Sequence, residues 1–197
     1  TVAVYTERAI WFGVRTEIVA SPVRFELKIS DQGNFGALTV AGQGENQIFL
    51  GNDLIYQLTD AGQLIPVGLP VRDSIFGELN AAALTQAFGV TLMDTQEYLC
   101  FLATGAETTP NKAWVYNWAR QTWYPWTFSG PKCATLHRSD DTTTIDQLVG
   151  TIDAQNWEFD SRLLQASFPT LLTGHTDGKI YVWSTLYPSD AGTAISC

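Results

Sequence analysis

The sequence predicts an all-β protein made of short antiparallel sheets, and three observations support this. Threonine, valine, isoleucine and aromatic residues are frequent, whereas strong helix formers are scarce. Glycine, asparagine and aspartate separate short apolar runs. Five such runs start 38, 51, 49 and 32 positions apart, which brackets the period of about 40 to 50 residues of a β-propeller blade. We therefore expect a β-propeller or part of one, with about four or five antiparallel blades in a single domain over residues 1–197. The runs are residues 9–13, 47–51, 98–102, 147–150 and 179–183.

Composition excludes several classes of protein. The 197 residues are 45% hydrophobic, which suffices for one sizeable core. Eleven basic and twenty acidic side chains give a net charge of −9, which repels phosphate backbones, so we expect no direct specific binding of nucleic acid. The one loose basic group is interpreted as strand-edge and solvent charges; it consists of Arg8, Arg15, Arg24 and Lys28. No stretch has the 18 or so apolar residues of a membrane span.

Both ends of the chain lack the usual terminal signals. The sequence starts at Thr1 in a strand-like alternation without an initiator methionine, and it stops at Cys197 without a cap or polar tail. We therefore expect a fragment of a longer polypeptide.

The clearest module runs from Ala37 to Pro70. Three turns containing glycine or asparagine separate four strand candidates, a pattern that predicts an antiparallel meander and hence one blade. The candidates are residues 37–40, 47–50, 54–58 and 64–67.

A second meander follows. Its second strand is apolar on both alternating faces, as expected for a strand covered on both sides, and Pro125 marks its last strand as an edge. The candidates are residues 90–93, 98–103, 113–118 and 123–128.

Between the two meanders the sequence predicts one short helix near residues 81–88. Asn80 is a suitable N-cap, alanine and leucine fill the interior, and Gly89 can end the helix in the left-handed conformation.

Weaker strand candidates follow towards the carboxyl end. There, the Asp177-Gly178 turn followed by an alternating apolar strand resembles part of a WD40 blade, which supports a propeller but not membership of that family. The candidates are residues 133–137, 147–152, 157–160, 170–173 and 179–183.

The sequence offers no assembled catalytic or metal site. Neither histidine, His137 or His175, lies in a nucleophile motif, and the three cysteines lack metal-ligand spacing. The Asp-box of sialidase propellers begins at Ser30-Asp31 but is not completed, and calcium-loop spacing is missing. We therefore expect no enzyme, no catalytic residue, no metal and no cofactor. The carboxylates weighed as glycosidase pairs are Asp140 with Asp141, Asp153 with Glu158 and Asp160, and Asp53 with Asp60.

Six large aromatic residues lie within thirteen positions, from Trp114 to Trp126. One interpretation is packing between blades, which the alternate spacing of Trp114, Tyr116 and Trp118 favours. The other is a sugar platform or a protein interface. The edge strand containing Pro125 supplies the candidate interface residues, which are Trp123, Tyr124 and Trp126.

Three segments together resemble the propeller-bearing virion proteins of tailed bacteriophages, of the neck, head-completion and tail-hub type. They are residues 48–58, the alanine-rich segment from Asn80, and the strand pair 113–117 and 121–123. The resemblance covers residues 1 to about 130 and carries over no functional residue. It implies a structural subunit of the virion, assembled in the host cytoplasm, with other virion proteins as partners in a symmetric homo-oligomeric ring and DNA passing nearby.

Two other functions remain open from the sequence. One is a carbohydrate-binding or glycoside-hydrolysing propeller that uses Trp123, Trp126 and nearby carboxylates. The other is a WD40-like interaction module.

Overall fold

The protein is all-β, with its strands arranged in antiparallel sheets, and none of the sheets in the described part of the chain is closed. The computed structural model describes residues 2–128, 130–137 and 169–183, and the backbone of residues 189–190 and 193–194. Sheet 1 holds β1 (Val2–Tyr5), β2 (Ala9–Arg15) and β3 (Val23–Ser30). Sheet 2 holds β4 (Ala41–Gln43), β5 (Asn46–Leu50), β6 (Ile55–Leu58) and β7 (Leu64–Ile65). Sheet 3 holds β8 (Phe88–Leu92), β9 (Glu97–Leu102), β10 (Lys112–Asn117) and β11 (Thr122–Thr127). Sheet 4 holds β12 (Pro131–His137), β13 (Thr170–His175) and β14 (Ile180–Val182), and Ser189–Asp190 pairs with Thr193–Ala194.

Sheets 2 and 3 are the two predicted four-stranded meanders, with neighbouring strands paired in chain order. In sheet 3 all four strands lie within two residues of their predicted positions. β9 is buried on both faces, and Pro125 lies in the edge strand β11, so both of these predictions are confirmed. In sheet 2 the first strand is Ala41–Gln43 rather than residues 37–40. The reason is that Leu38 forms an isolated bridge with Phe88 of sheet 3 instead of pairing within its own sheet.

Sheet 4 contains the predicted hairpin at Asp177-Gly178. Gly178 adopts a positive φ of 78°, which the turn requires, and β13 pairs with β14 on either side of it. The predicted strands at residues 147–152 and 157–160 lie outside the described residues.

A short helix is present at the predicted place, but its predicted end at Gly89 is wrong. Ala81–Gln86 forms a 3₁₀ helix, in which Asn80 does serve as N-cap by accepting a hydrogen bond from the Ala82 N–H (3.1 Å). Gly89 does not end a helix but lies in β8, because its N–H bonds to the Leu38 carbonyl (2.9 Å). The α-helix of the described chain, α1 (Arg72–Glu78), was not predicted.

Successive sheets pack face to face, and each packing interface is a separate hydrophobic cluster. Ile10 and Phe12 of sheet 1 pack on Phe49 and Tyr56 of sheet 2. The cluster between sheets 2 and 3 contains Ile48, Leu50, Ile55, Tyr98, Cys100 and Trp114, together with Ile75 of α1. The cluster between sheets 3 and 4 contains Leu99, Phe101, Val115 and Leu171. The described core is therefore a series of sheet-to-sheet interfaces in chain order.

The first strands of sheets 2, 3 and 4 lie side by side, since β8 contacts both β4 and β12. Gly89 allows this close approach, because a Cβ at that position would stand 2.4 Å from the Thr39 carbonyl oxygen. The buried Tyr98 hydroxyl also donates to that oxygen (2.8 Å). Sheet 3 and the segment leading into β4 of sheet 2 are thus joined by hydrogen bonds as well as by apolar contacts.

Among the described residues, helices are all too short or too polar to cross a bilayer.

Candidate protein interface

Trp123 lies in the packing between sheets 2 and 3. Its indole N–H donates to the Val67 carbonyl oxygen (2.9 Å), and its ring stacks on Tyr116 with centroids 4.8 Å apart. The ring is half-buried and packs against the cluster between these two sheets. Trp123 therefore contributes to holding sheet 3 against sheet 2.

Tyr124 and Trp126 lie on the opposite face of β11, towards sheet 4. The Tyr124 hydroxyl donates to Glu97 Oε1, and burial, with a smaller contribution from this carboxylate, raises the pKa of the phenol. Trp126 stacks on Trp183, with centroids 4.5 Å apart, and Phe128 lies beside both rings.

The three predicted interface residues therefore do not form one surface. Alternation along β11 directs Trp123 to one side of sheet 3 and the other two to the opposite side. All three are half-buried. Their rings fill space between sheets, the interpretation that was favoured for Trp114, Tyr116 and Trp118.

A different surface carries large exposed apolar side chains, and we call it the outer apolar face. It lies on the side of sheet 1 that faces away from sheet 2, whereas Ala3 and Tyr5 on the other side pack against sheet 2. The outer apolar face consists of Val2, Val4, Trp11, Phe25 and Leu27, with Phe25 and Leu27 each about half exposed (53% and 50%).

Register aligns this face into two cross-strand rows. Val4, Trp11 and Leu27 are direct neighbours across the three strands. In the second row Gly13 stands between Val2 and Phe25, and a Cβ there would lie 3.1 Å from the Phe25 ring. The lack of a side chain at Gly13 thus leaves room for the Phe25 ring beside the middle of the row. Such contiguous aromatic and aliphatic groups are typical of protein-binding surfaces.

Charged side chains of β3 alternate with the apolar ones. Glu26 shares its face with Phe12. It pairs with Arg24 and with Lys28 (Nζ to Oε2, 3.1 Å). The hydrogen bond from Arg24, and then that from Lys28, holds the pKa of the Glu26 carboxyl below its usual value. These three charges sum to +1 and belong to the other face of β3, so the outer apolar face carries none of them.

Sequence reasoning did not single out this face, although a signal exists. Residues 23–28 alternate strictly between apolar and charged side chains, which is typical of a strand with two unlike faces. Alternation alone does not tell which face another sheet covers, so the sequence does not show that Phe25 and Leu27 stay exposed.

The titratable groups that were weighed for catalysis lie apart. His175 is buried, with Nε2 3.1 Å from Thr173 Oγ1 and its ring edge-on to Tyr181, whereas His137 is exposed. Asp53 accepts a hydrogen bond from the Tyr56 hydroxyl (2.9 Å). Within the described ranges, histidine, cysteine and acidic residues do not converge on a metal site. The remaining weighed carboxylates, at residues 140, 141, 153, 158 and 160, lie outside those ranges.

No family model matches this sequence, and a search of curated proteins likewise produced no match.

Proposed function

We propose that the chain is a rigid structural subunit of a tailed-bacteriophage virion, in its neck or tail, that assembles with neighbouring subunits. The resemblance to virion propeller proteins points to this class, and it is carried by residues 48–58, the alanine-rich segment from Asn80, and the strand pair 113–117 and 121–123. The observation that carries the assembly role is the outer apolar face, because monomeric proteins rarely leave such a contiguous surface uncovered.

We further propose that the four sheets are consecutive blades of a β-propeller or of part of one. Two features support this. The sheets pack face to face in chain order, and the first strands of sheets 2 to 4 lie along one edge. The chain also buries Trp114, Tyr116 and Phe101 between sheets, which suits a stiff scaffold.

The occupant that we propose for the outer apolar face is a second copy of the chain in a ring. The charge distribution supports this choice. Residues 1–30 hold four of the eleven basic and only three of the twenty acidic side chains, so the excess of acid lies in the rest of the chain. A head-to-tail contact would bring the weakly basic amino-terminal region around the outer apolar face of one copy against the acidic remainder of the next, and such contacts close into rings.

Native mass spectrometry and negative-stain microscopy of the purified chain test the assembly role. We expect a ring of defined copy number, and Phe25→Glu should convert it to monomers by placing a charge in the outer apolar face. Val19→Glu is the matched control, because Val19 is 96% exposed but lies in the β2–β3 loop away from this face. A monomer at every concentration, or equal disruption by both variants, contradicts a homo-oligomeric scaffold.

The virion assignment has its own test. The reading frames beside this gene should encode portal and tail proteins, and the chain should be found by mass spectrometry in purified particles. A neighbourhood of metabolic genes contradicts the assignment without affecting the assembly result.

The carbohydrate alternative predicts saturable sugar binding that Trp126→Ala abolishes, and the WD40-like alternative predicts that an isolated monomer captures one soluble partner.

A further inference from the structure

Sheet 1 is one strand short compared with sheets 2 and 3, which have four strands each. In sheets 2, 3 and 4 the first strand lies at a common edge, where β8 contacts both β4 and β12. Among the described residues, no strand takes the corresponding position in sheet 1, beside β1. That position is therefore an open place in an otherwise repeated arrangement.

The backbone of β1 presents hydrogen-bonding groups to this open position. The Thr6 N–H donates to the Ala9 carbonyl (2.9 Å). Because antiparallel pairs alternate between bonded and non-bonded, Val2 and Val4 then bond to β2, while the N–H and C=O groups of Ala3 and Tyr5 point outward. No described residue hydrogen-bonds to these four outward groups.

The same reasoning can be checked on sheet 3. The Phe128 N–H donates to the Asn111 carbonyl (2.8 Å), so alternation directs the backbone nitrogens of Trp123, Pro125 and Thr127 to the free edge of β11. Proline has no N–H to donate, and Pro125 indeed occupies one of these outward positions.

A cleft of about 530 Å³ lies along the free edge of β1. One wall is formed by Ala3 and Tyr5, and the other by residues of the segment leading into β4 and by β5. Tyr5 and Gln47, which are joined by a hydrogen bond, bridge the two walls. The cleft ends at Thr6, whose carbonyl accepts a hydrogen bond from the Asn34 N–H (2.9 Å). Its full lining is Ala3, Tyr5, Thr6, Glu7, Asn34, Ala37, Val40 and Gln47.

We propose that the free edge of β1 accepts an extended segment of a second polypeptide as the fourth strand of sheet 1. Unpaired strand edges bind extended peptides in this way. One face of the added strand would lie beside Tyr5 and Val40, and the other beside Val2 and Val4. The segment is therefore apolar on both faces and free of proline. This inference is independent of the virion assignment and of the ring contact through the outer apolar face.

The chain itself supplies a probe with the required character. β8 holds the equivalent position in sheet 3, so a synthetic peptide with the sequence of residues 87–93 serves as the strand donor. In the full chain without peptide, we expect the Ala3 and Tyr5 amides to exchange rapidly with deuterium in NMR spectra. Peptide should slow the exchange of both, whereas the Val4 amide, already bonded to β2, should be protected throughout. The same peptide with Val90→Pro should give no protection.

Two protein variants test whether the peptide binds at the edge of β1 and not elsewhere. Ala3→Pro removes one outward N–H without removing a bond to β2, and we expect roughly tenfold weaker peptide binding by titration calorimetry. Thr127→Pro is the matched control, because it removes an outward N–H from the free edge of β11 and should leave the affinity unchanged. If Ala3→Pro fails to fold by circular dichroism, the proline-containing peptide still distinguishes strand addition from non-specific binding.

Three results would overturn the proposal. They are no protection of Ala3 and Tyr5 at millimolar peptide, equal binding by wild type and folded Ala3→Pro, and protection of both amides before peptide is added. The last result would mean that another part of this chain already fills the position.

Discussion

Trp126 of sheet 3 and Trp183, which follows β14 of sheet 4, stack with ring centroids 4.5 Å apart and ring planes 17° apart. The two indoles are separated by 57 positions in sequence, and their contact joins an edge strand to the neighbouring sheet. Stacked aromatic pairs stabilise a fold beyond the area that they bury. Trp126 is therefore a packing residue, and its removal should measurably lower the free energy of unfolding.

Trp126→Ala should lower the free energy of unfolding by about 2 kcal/mol. Full burial of a tryptophan corresponds to a loss of about 3 to 5 kcal/mol, and Trp126 is half-buried. Urea denaturation measures the loss. Thr127→Ala, at the exposed neighbouring position, should change the value by less than about 0.5 kcal/mol. Equal stability of Trp126→Ala and wild type would mean that the stack contributes nothing.

Trp123→Phe should cost about 1 kcal/mol, because it removes the hydrogen bond to the Val67 carbonyl while keeping a ring against Tyr116. The measurement is again the free energy of unfolding. Trp126→Phe is a suitable comparison, since no described residue accepts a hydrogen bond from that indole. We expect the loss at position 123 to exceed that at position 126, and the reverse order would argue against the bond to Val67.

The cysteines at positions 100 and 133 should differ in reactivity. Burial raises the pKa of the Cys100 thiol to about 12, and the hydrogen bond with Tyr98 offsets this only in part. Cys133 is exposed. Alkylation of the native protein at pH 8, followed by peptide mapping, should label Cys133 and leave Cys100 unmodified until denaturant is added. Rapid labelling of Cys100 in the native protein would contradict its burial between sheets 2 and 3.

Stability should decline in alkali, and Tyr98 should contribute to the decline. Burial raises the pKa of its phenol well above the usual value. The unfolded chain therefore loses this proton near pH 10 while the folded chain keeps it. The stabilisation is complete below pH 10 and is lost as the pH rises towards the folded pKa, by at most about 1.4 kcal/mol per pH unit for one group.

Tyr98→Phe tests this assignment. The variant should be less stable at neutral pH, because the Thr39 carbonyl loses its donor, but its free energy of unfolding should fall less steeply above pH 10. Denaturation curves between pH 8 and pH 11.5 measure both slopes. Parallel slopes would show that Tyr98 does not titrate differently in the two states.

The strands of sheet 3 could be predicted from the sequence because their apolar runs are long and two of their three connections are turns of four residues. β9 and β11 each begin one residue before the predicted position, and this difference has a local cause. Gln96 and Gln121 adopt positive φ angles of 59° and 54° in the turns before β9 and β11, and glutamine gives no signal for that conformation. The α-helix Arg72–Glu78 was missed because it is short and contains Gly77, and its formation depends on burying Ile75 under sheets 2 and 3.

The candidate interface could not be predicted because it depends on which faces remain uncovered. Tryptophan is frequent in protein interfaces, yet Trp123 and Trp126 both pack between sheets of the same chain. Phe25 and Leu27 are also large apolar residues, but none of the described sheets packs over them. The edge of β1 that no described strand covers could not be predicted either. It follows from the spatial order of the strands, and nothing in the residues of β1 indicates it.

The separate cluster at each sheet-to-sheet interface has a mechanical consequence. Because the described sheets bury their faces mainly against their neighbours in the chain, a stretching force along the stack would load all the interfaces equally, and the weakest would rupture first. The force–extension curve should then show a series of steps, and the force at which the stack first opens would equal the rupture force of its weakest sheet-to-sheet interface.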